Sequence, residues 1–426
     1  MSFRTVFSSI VNRGIVAGAL GVMCLSLMAT VASAELPQVK FENPQIGYPT
    51  GGMGSSVFVD GDTIIIGAPD TTHNELQEAG NALIYRADGL AGWILEAELT
   101  ASDAAAHDAF GYSVALSGET AIVGACMDDD GGRQSGSAYI FKRSDGVWIQ
   151  EAKITALDAA EGKSFAHSVS LSGDTALVGA PVDDGKGSDF GAAYVFTRSD
   201  GGWTQQQKLT ASDTKSNEEF GKSVSLSGDT AIVGAHRADH GGLDRAGSAY
   251  VFTRSGEVWT QQSKLTASDA DGDDRFGISV AISGETAIVG AYWDKHEGKG
   301  SGSAYIFKRS DGAWLQQAKL KASEISPGPT FGNSVAISGD IAVVGKVGQH
   351  SGSVDVFKRS GKNWTVYTVL TPWDFAVMDP FGTSVAVDGE SVLVGAPANY
   401  TQQSHAGAAY FFTLPITPTL DSTSEN

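Results

Sequence analysis

The densest run of carboxylates in the sequence lies at residues 269–274. Asp269, Asp271 and Asp273 alternate there with Ala270 and Gly272, and alternating carboxylates around a glycine can wrap a calcium ion. No glutamate follows at the distance that a helix-loop-helix calcium site requires. A solvated acidic turn is therefore the favoured interpretation, and calcium binding is the alternative.

Two shorter acidic runs, Asp128-Asp129-Asp130 and Asp183-Asp184, stand in equivalent connections. Each run alone is typical of a turn. Together they predict an acidic rim that gathers cations. We keep Asp128, Asp129 and Asp130 as candidate ligand-binding residues.

The histidines also fall in or beside variable connections, at positions 73, 107, 167, 236, 240, 296, 350 and 405. Metal ligation needs three or four side chains to converge, and only His236 and His240 are close in sequence. Surface residues are the favoured interpretation, with ligand contact by this pair as the alternative. No Gly-x-Ser-x-Gly elbow supports a Ser-His-Asp triad.

Most tryptophans recur at a fixed place, at positions 93, 148, 203, 259, 314 and 364. Repetition at the start of a strand indicates packing rather than sugar stacking. Trp293 and Trp373 break this pattern and lie in variable connections, with Tyr292 beside the first. These three aromatic residues are candidates for ligand contact.

The elements that position these residues are internal repeats. A unit that reads FGISVAISGETAIVGA in its fifth copy begins at residues 53, 110, 165, 220, 276, 331 and 381. Its period of about 55 residues is near that of propeller blades. Each copy holds four β-branched or aromatic runs of strand length. The pattern predicts an all-β, seven-bladed β-propeller of four-stranded blades.

The connections are of two kinds. A two-residue Gly-Asp or Gly-Glu turn joins the first two strands of every copy, and another short turn joins the last two. The second-to-third and fourth-to-first connections differ between copies. In an up-and-down blade these two connections emerge at one end, which we call the variable face. Function is expected there.

The ends of the chain complete the fold. The seventh copy has three strands, and Gln38-Val39-Lys40-Phe41 resembles a fourth strand. We expect this segment to close the ring and remove open sheet edges. The expected propeller covers residues 35–413, followed by a disordered polar tail at residues 414–426.

Residues 1–34 have the order of a secretory signal. Arg4 and Arg13 precede an apolar stretch, and Ala32-Ser33-Ala34 offers a cleavage site. Its removal would change the formal net charge from −20 to −22. So acidic a surface disfavours nucleic acid and anionic lipid. Cys126 alone remains, so no internal disulfide is expected, and an inert buried thiol is favoured over a reactive one.

Phe-Gly at the start of most units and Gly-Ala-Pro at the end of several, as in Gly67-Ala68-Pro69 and Gly179-Ala180-Pro181, resemble the FG-GAP repeat. That repeat occurs in integrin α-chain propellers and in bacterial exported proteins. The resemblance spans residues 35–413 and implies extracellular recognition or adhesion. Met53, Ala166 and Gly345-Lys346-Val347 depart from the motif.

The calcium loop of this family lies between the first and second strands. Here that connection is a two-residue turn, too short to supply six or more oxygens. The family's calcium site is therefore not carried over, and no cofactor is expected.

These observations predict a secreted or periplasmic monomer that binds a protein or glycan through its variable face. A lectin-like propeller with blade-repeated sites and a polysaccharide lyase or hydrolase are the alternatives, because fold does not fix function. No nucleic-acid partner and no stable membrane insertion after signal removal are expected. No catalytic constellation is recognisable.

Overall fold

The computed structural model describes residues 36, 38–42, 51–89, 92–182, 190–213, 215–295, 301–323, 331–348, 352–374, 380–397 and 407–415. Residues 36–426 form one compact unit. The predicted signal segment and residues 416–426 of the predicted tail lie outside the described residues. Within the described ranges, no helix is long and apolar enough to cross a membrane.

Seven four-stranded antiparallel sheets make up the described fold. In blade 1 the strands are β2 (Ser56–Asp60), β3 (Thr63–Ala68), β4 (Asn81–Ala87) and β5 (Trp93–Leu99). In blade 2 they are β6 (Phe110–Ser117), β7 (Thr120–Ala125), β8 (Ser137–Ser144) and β9 (Val147–Ile154). In blade 3 they are β10 (Ser168–Ser172), β11 (Thr175–Ala180), β12 (Ala192–Ser199) and β13 (Gly202–Leu209).

The remaining blades repeat this plan. Blade 4 has β14 (Ser223–Ser227), β15 (Thr230–Ala235), β16 (Ser248–Ser255) and β17 (Val258–Leu265). Blade 5 has β18 (Phe276–Ser283), β19 (Thr286–Ala291), β20 (Ser303–Ser310) and β21 (Ala313–Leu320). Blade 6 has β22 (Phe331–Ser338), β23 (Ile341–Lys346), β24 (Ser353–Ser360) and β25 (Asn363–Leu370). Blade 7 has β26 (Ser384–Asp388), β27 (Ser391–Ala396), β28 (Ala408–Thr413) and the N-terminal β1 (Gln38–Glu42).

Closure by the N-terminal strand is confirmed. Strand β1 pairs antiparallel with β28, from Gln38 opposite Phe412 to Glu42 opposite Ala408. Phe41 is buried and contacts the ring of Tyr85 in blade 1, with the ring centroids 4.7 Å apart. The N-terminal segment thus fills the outer position of blade 7, so β28 is paired on both of its edges.

The predicted end of the propeller at residue 413 is too early. Leu414 is buried, and its N–H donates to the Glu390 carbonyl at 2.8 Å. The carbonyl of Pro415 accepts a hydrogen bond from the Tyr367 hydroxyl at 2.9 Å. These contacts tie the end of the last strand to blades 6 and 7, so the packed domain extends to at least residue 415.

The core lies between neighbouring blades. The second strands carry apolar side chains on both faces, and strands such as β7 and β15 are buried throughout. The Phe of each Phe-Gly pair packs on aromatic residues of the third strand, as Phe276 does on Tyr305 at a centroid distance of 5.5 Å. A strand buried on both faces is what stacked blades require.

The repeated glycines let adjacent blades touch through their backbones. A Cβ at Gly67 in β3 would lie 2.0 Å from the carbonyl oxygen of Gly111 in the next blade. Gly111 itself has a φ of +94°, in the region that favours glycine. The same backbone contact between adjacent blades therefore requires glycine both in the Gly-Ala-Pro motif and in the Phe-Gly pair.

The short turns are linked into a closed ring at the repetitive face. The first glycine N–H of each two-residue turn donates to a Ser or Asp side chain of the preceding blade, at 2.6 to 3.2 Å. The ring closes where Gly61 of blade 1 bonds Asp388 of blade 7. Serine recurs at the end of the first strands because its hydroxyl accepts this hydrogen bond from the next blade.

The repeated tryptophans have the packing role that their spacing predicts. Trp148 Nε1 donates to Glu96 of the preceding blade at 2.9 Å, and Trp259 Nε1 donates to Gln206 at 3.1 Å. The guanidinium of Arg254 lies 5.4 Å from the centroid of the Trp259 ring. These side chains fasten the outer strands of adjacent blades.

The first strands of neighbouring blades contact one another around the central axis. They enclose a cavity of about 220 Å3 whose walls include Ser170, Ser225, Ala281 and Ala336. Each first strand begins at the variable face. The residues that open these strands therefore surround the mouth of the channel on that face.

Candidate functional site

A polar cluster built on a buried tyrosine recurs near the variable face in five blades of the described structure. A tyrosine hydroxyl of the third strand donates to an aspartate of the preceding connection, and a lysine of the outer strand pairs with that aspartate. The members are Tyr139, Asp103 and Lys153; Tyr194, Asp158 and Lys208; Tyr250, Asp213 and Lys264; Tyr305, Asp269 and Lys319; and Tyr410, Asp374 and Lys40. This Tyr-Lys-Asp cluster is part of the repeated scaffold.

Asp128, one of the predicted rim residues, belongs to this scaffold. It is 3% exposed, accepts a hydrogen bond from Tyr139 at 2.8 Å and pairs with Lys153 at 2.9 Å. Asp130 also pairs with Lys153, and Asp129 accepts the N–H of Gln134 at 2.7 Å. Asp128 therefore takes part in the packing of blade 2, whereas Asp129 and Asp130 are exposed. Asp183 and Asp184 of the predicted rim lie outside the described residues.

The three candidate calcium ligands face different partners. Asp269 pairs with Lys319 at 2.7 Å and Asp273 with Arg245 at 2.9 Å, whereas Asp271 accepts the N–H of Gly272 at 2.8 Å. Burial opposes ionisation of Asp269, but the hydrogen bonds from Lys319 and Tyr305 and the Lys319 charge together outweigh it and lower the pKa of the carboxyl. In the described part of the chain, no three His, Cys, Asp or Glu side chains are grouped to hold a metal ion.

A second polar cluster occurs once, at the mouth of the channel. It begins with the residue that follows each Phe-Gly or Phe-Ala pair. In blades 2, 3 and 4 these residues are Tyr112, His167 and Lys222. His167 Nε2 lies 3.2 Å from the Tyr112 hydroxyl and 3.1 Å from Lys222 Nζ, so the three side chains form one chain across three blades.

The equivalent positions of the other blades carry unlike residues. They are Ser55, Ile278, Asn333 and Thr383. The mouth is therefore cationic and aromatic on the side of blades 2 to 4, and small or uncharged on the other side.

The protonation of His167 follows from its neighbours. An ammonium can only donate, so Lys222 requires Nε2 of His167 to accept, and the imidazole proton then resides on Nδ1. Burial, followed by the Lys222 charge, lowers the pKa of His167 to about 3. Nδ1 is buried and has no hydrogen-bond partner among the described residues. His167 is thus a neutral imidazole whose Nδ1–H can act as a donor.

His236, a predicted site residue, extends the cluster. It follows strand β15, is 4% exposed, and has its Nε2 3.7 Å from a carboxylate oxygen of Glu219. Burial, with the charges of Lys222 and Arg275 next, lowers the pKa of His236 to about 3. Its Nδ1 is also buried without a partner in the described part of the chain. An unsatisfied buried polar group costs about 1–3 kcal/mol, so such groups call for an explanation.

Cys126 stands at the position equivalent to His236 in blade 2. It is 3% exposed, and burial raises the pKa of its thiol to about 12. Burial likewise raises the pKa of Tyr112 to about 12. Both groups are protonated at neutral pH. Cys126 fits the predicted inert buried thiol.

Arginines and aromatic residues form the outer edge of the cluster. Arg237 pairs with Glu219 at 2.6 Å, and the Arg275 guanidinium lies 6.0 Å from the ring centroid of Trp293. Trp293, a predicted ligand contact, is 41% exposed, and the ring of Tyr292 lies 6.0 Å from it. We call the set Tyr112, Cys126, His167, Glu219, Lys222, His236, Arg237 and Arg275, with Trp293 at its edge, the mouth cluster.

The other predicted site residues lie apart from it. His240 exchanges backbone hydrogen bonds with Leu243 within its own connection. Trp373 is 58% exposed beside Asp374, the partner of Lys40. His296, His350 and His405 lie outside the described residues. Of the eight predicted ligand-binding residues, His236, Tyr292 and Trp293 are thus brought to the mouth cluster.

Sequence reasoning missed Tyr112, Lys222 and Arg275. The available signal was the position after Phe-Gly, where seven copies of a strongly repeated unit carry seven different residues. An unrepeated residue inside a repeated frame is not needed for packing of the blade. Such positions are the ones free to serve a ligand.

The mouth cluster offers a definite chemistry. Lys222 supplies a largely buried positive charge with no carboxylate within ion-pair distance among the described residues, and two neutral imidazoles supply hydrogen-bonding nitrogens. Burial lowers the pKa of Lys222 despite the nearby Glu219 carboxylate. An anionic group would compensate this charge, and hydroxyl groups would satisfy the imidazoles.

The comparisons with known proteins concern the fold. No curated protein matches the chain significantly. Among solved structures, the chain is similar to Sqt1 from Saccharomyces cerevisiae, with 10% sequence identity and a TM-score of 0.49. That match covers 89% of this chain and 100% of the Sqt1 chain.

A family model described as the FG-GAP repeat matches six segments, at residues 93–141, 148–196, 203–252, 259–307, 314–357 and 364–412. Each segment runs from the fourth strand of one blade to the third strand of the next. The copy that begins at Met53 lies outside these segments. Together they cover more than half of the sequence, and the chain therefore belongs to the FG-GAP repeat family.

Proposed function

We propose that this protein is an exported recognition module that binds one protein or glycan ligand through its variable face, at the mouth cluster. The FG-GAP propeller fold fits an interaction module. One observation carries the finer proposal: Lys222, His167 and His236 place a buried charge and partnerless nitrogens at a single point of a repeated ring. A scaffold does not require them.

The same observation favours one site over the blade-repeated sites of a lectin-like propeller. The polar residues that recur from blade to blade are joined to each other, as Tyr250, Asp213 and Lys264 are. Hydroxyl groups without a partner do recur among the described residues, at the first residue of the third strand in blades 2, 4 and 5 (Ser137, Ser248 and Ser303). The partnerless imidazole nitrogens of His167 and His236 belong to one cluster, and the Lys222 charge lies beside them.

The N-terminal residues support the location. The apolar segment that follows Arg4 and Arg13, with its small-residue cleavage site, supports export to the periplasm or the medium. The N-terminal mass of protein recovered outside the cytoplasm tests this. Cleavage after Ala34 is expected, and an intact Met1 would contradict it.

The binding function is tested by thermal unfolding of residues 35–426 with a panel of glycans and purified exported proteins. A ligand of the native state raises the unfolding midpoint with its concentration. We expect one panel class to do so for the wild type and to lose this effect with Lys222→Met. Lys321→Met is the matched control, because Lys321 is exposed on the same face at the end of β21. Equal shifts for both variants would place binding elsewhere.

An acid–base enzyme is a second candidate function. It is favoured by the direct contacts of His167 with Tyr112 and Lys222, because positioned groups with shifted pKa values are typical of catalytic sites. Incubation of any bound polysaccharide with the protein tests it. New reducing ends that are absent with the His167→Gln variant would support catalysis. A polysaccharide of unchanged length would support binding without catalysis.

A further inference from the structure

Lys222 is the uncompensated charge of the mouth cluster. Arg237 pairs with Glu219 at 2.6 Å, and Arg275 lies 3.9 Å from a carboxylate oxygen of Asp273. Lys222 has no carboxylate within ion-pair distance among the described residues, and its Nζ lies 3.1 Å from His167 Nε2. The chain as a whole has a formal net charge of −20. A positive centre at the mouth of so acidic a molecule selects for an anionic group of a ligand.

The partnerless atoms in the cluster are nitrogens. Nδ1 of His167, Nδ1 of His236 and Nε of Arg275 are buried without a hydrogen-bond partner among the described residues. A protonated Nδ1 donates and an unprotonated one accepts, so neutral imidazoles can serve hydroxyl groups, which both donate and accept. Carboxylate and hydroxyl groups are therefore the chemistry that the cluster lacks.

An apolar surface lies at the edge of the same cluster. The Trp293 ring is 41% exposed. The Arg275 guanidinium and the Tyr292 ring each lie 6.0 Å from its centroid. A rigid exposed indole can cover the C–H face of a sugar ring at low entropic cost. Peptide ligands more often bind through main-chain hydrogen bonds along a strand edge or groove, and the partnerless groups here are side chains.

The site continues outward on the variable face. A hollow of about 350 Å3 beside the cluster is lined by Arg237, Arg245, Asp239 and Asn217, among others. Arg237 thus belongs both to the cluster and to the hollow. The lining also includes Glu218, so the hollow carries charges of both signs and has room for further units of a chain.

Resting on the proposed function, we infer that the mouth cluster binds a uronate unit of an acidic glycan. The uronate carboxylate is bound beside Lys222 and Arg275. Its hydroxyl groups meet the imidazoles of His167 and His236, and its C–H face lies against Trp293. Neighbouring units extend over Arg237 and Arg245.

Calorimetric titration of residues 35–426 with oligouronates tests this assignment. The probes are oligomers of galacturonate, glucuronate and mannuronate. Each is matched by its methyl ester, which keeps the sugar rings and removes the charge. We expect at least one oligouronate to bind and its ester to bind about tenfold more weakly or worse, because a desolvated charge-assisted contact is lost. Equal binding of acid and ester would overturn the inference.

Variants place the binding at the cluster. Lys222→Met and His236→Gln are each expected to weaken oligouronate binding about tenfold or more, whereas Lys321→Met should leave it unchanged. Thermal unfolding of each variant separates lost binding from lost folding, and two variants guard against one that fails to fold. A folded Lys222→Met protein with wild-type affinity would refute the site.

Failure of this inference and failure of the proposed function look different. Polyglutamate binding in place of oligouronate, lost on Lys222→Met, would retain the recognition site and reject the glycan assignment. Absence of oligouronate binding at millimolar concentration would also reject it. Recognition at the mouth cluster fails if the panel ligand binds Lys222→Met as tightly as the wild type.

Discussion

Ala166 takes the position that glycine holds in the other six copies of the repeat, at residues 54, 111, 221, 277, 332 and 382. Its φ is +64°, a left-handed conformation that costs a residue with a Cβ about 1–2 kcal/mol. Ala166→Gly removes this strain from the folded state. Glycine also raises the conformational entropy of the unfolded chain, which offsets part of the gain in stability. We expect a net stabilisation of about 0.5–1 kcal/mol, measured by chemical denaturation.

The reciprocal variant is the control for this position. Gly111→Ala places a Cβ 2.2 Å from the carbonyl oxygen of Asn81 and should destabilise the protein. A loss of stability in Ala166→Gly would mean that the alanine methyl group contributes packing that outweighs the strain. Because Ala166 precedes His167, the strained residue adjoins the mouth cluster, where strain is often tolerated for function.

Asp274 provides a pH-dependent test. The side chain is 2% exposed, and burial raises its pKa to about 6. A folded-state pKa above the unfolded value means that this carboxyl contributes stability below pH about 4, and that the contribution is lost as the pH rises through about 6. Asp274→Asn should therefore raise the unfolding midpoint at pH 8 and leave it nearly unchanged at pH 4.

The exposed neighbour Asp271 supplies the matched control. Asp271→Asn removes the same charge from the same loop without relieving a buried carboxylate. Its effect on the unfolding midpoint should grow with pH less than that of Asp274→Asn, because the Asp271 side chain acts on the buried carboxyl only through its charge. A pH-independent effect of Asp274→Asn would show that its role is the hydrogen bond it accepts from the Asp271 N–H at 2.7 Å, rather than a buried charge.

At the scale of elements, strand β1 carries the closure of the ring. Phe41 is its buried anchor, 4% exposed, with Tyr85 and Trp93 around it. Phe41→Ala should cost about 3–5 kcal/mol of unfolding free energy because a large cavity forms between blades 7 and 1. Chemical denaturation measures this cost, together with any dimer that forms through an exposed edge of β28.

Glu42→Ala in the same strand is the comparison. Glu42 is exposed and pairs with Lys40 at 2.8 Å. A surface ion pair contributes about 0–1 kcal/mol, so this variant should be nearly as stable as the wild type. Equal and small losses for both variants would indicate that β1 contributes little to the stability of the ring.

The repeat pattern was sufficient to predict the elements. Strand-length runs, Gly-Asp turns and the likeness of Gln38–Phe41 to an outer strand predicted four strands in each blade and the closure by β1. The role of Asp128 was not predictable in this way. Its partners Tyr139 and Lys153 lie on other strands of its blade, and their distances become known only once the blade has its register.

The mouth cluster was even harder to predict from the sequence. Tyr112, His167 and Lys222 are separated by about one repeat each. Only the closed ring brings the starts of the first strands together around one channel. The tryptophans and histidines attracted notice by their residue type, whereas Lys222 is distinguished only by where it lies.

At the scale of the whole molecule, the repeated contacts and the mouth cluster have different roles. The turn ring, the tryptophan contacts and the Tyr-Lys-Asp clusters recur around the propeller and join each blade to its neighbours. Repeated structure gives stability through neighbour contacts and places equal surfaces around the axis. The mouth cluster departs from that symmetry, because its residues come from blades 2 to 5 alone.

This asymmetry predicts a stoichiometry of one ligand per chain. Blade-repeated sites would bind five to seven ligands, because the Tyr-Lys-Asp cluster occurs in five described blades. Titration calorimetry with a short oligomer, too small to bridge two blades, measures the number directly. A value near one that Lys222→Met abolishes supports the mouth cluster as the site. Several equal sites that survive this substitution would instead identify the repeated blade surfaces as the binding elements, and the ring would be lectin-like.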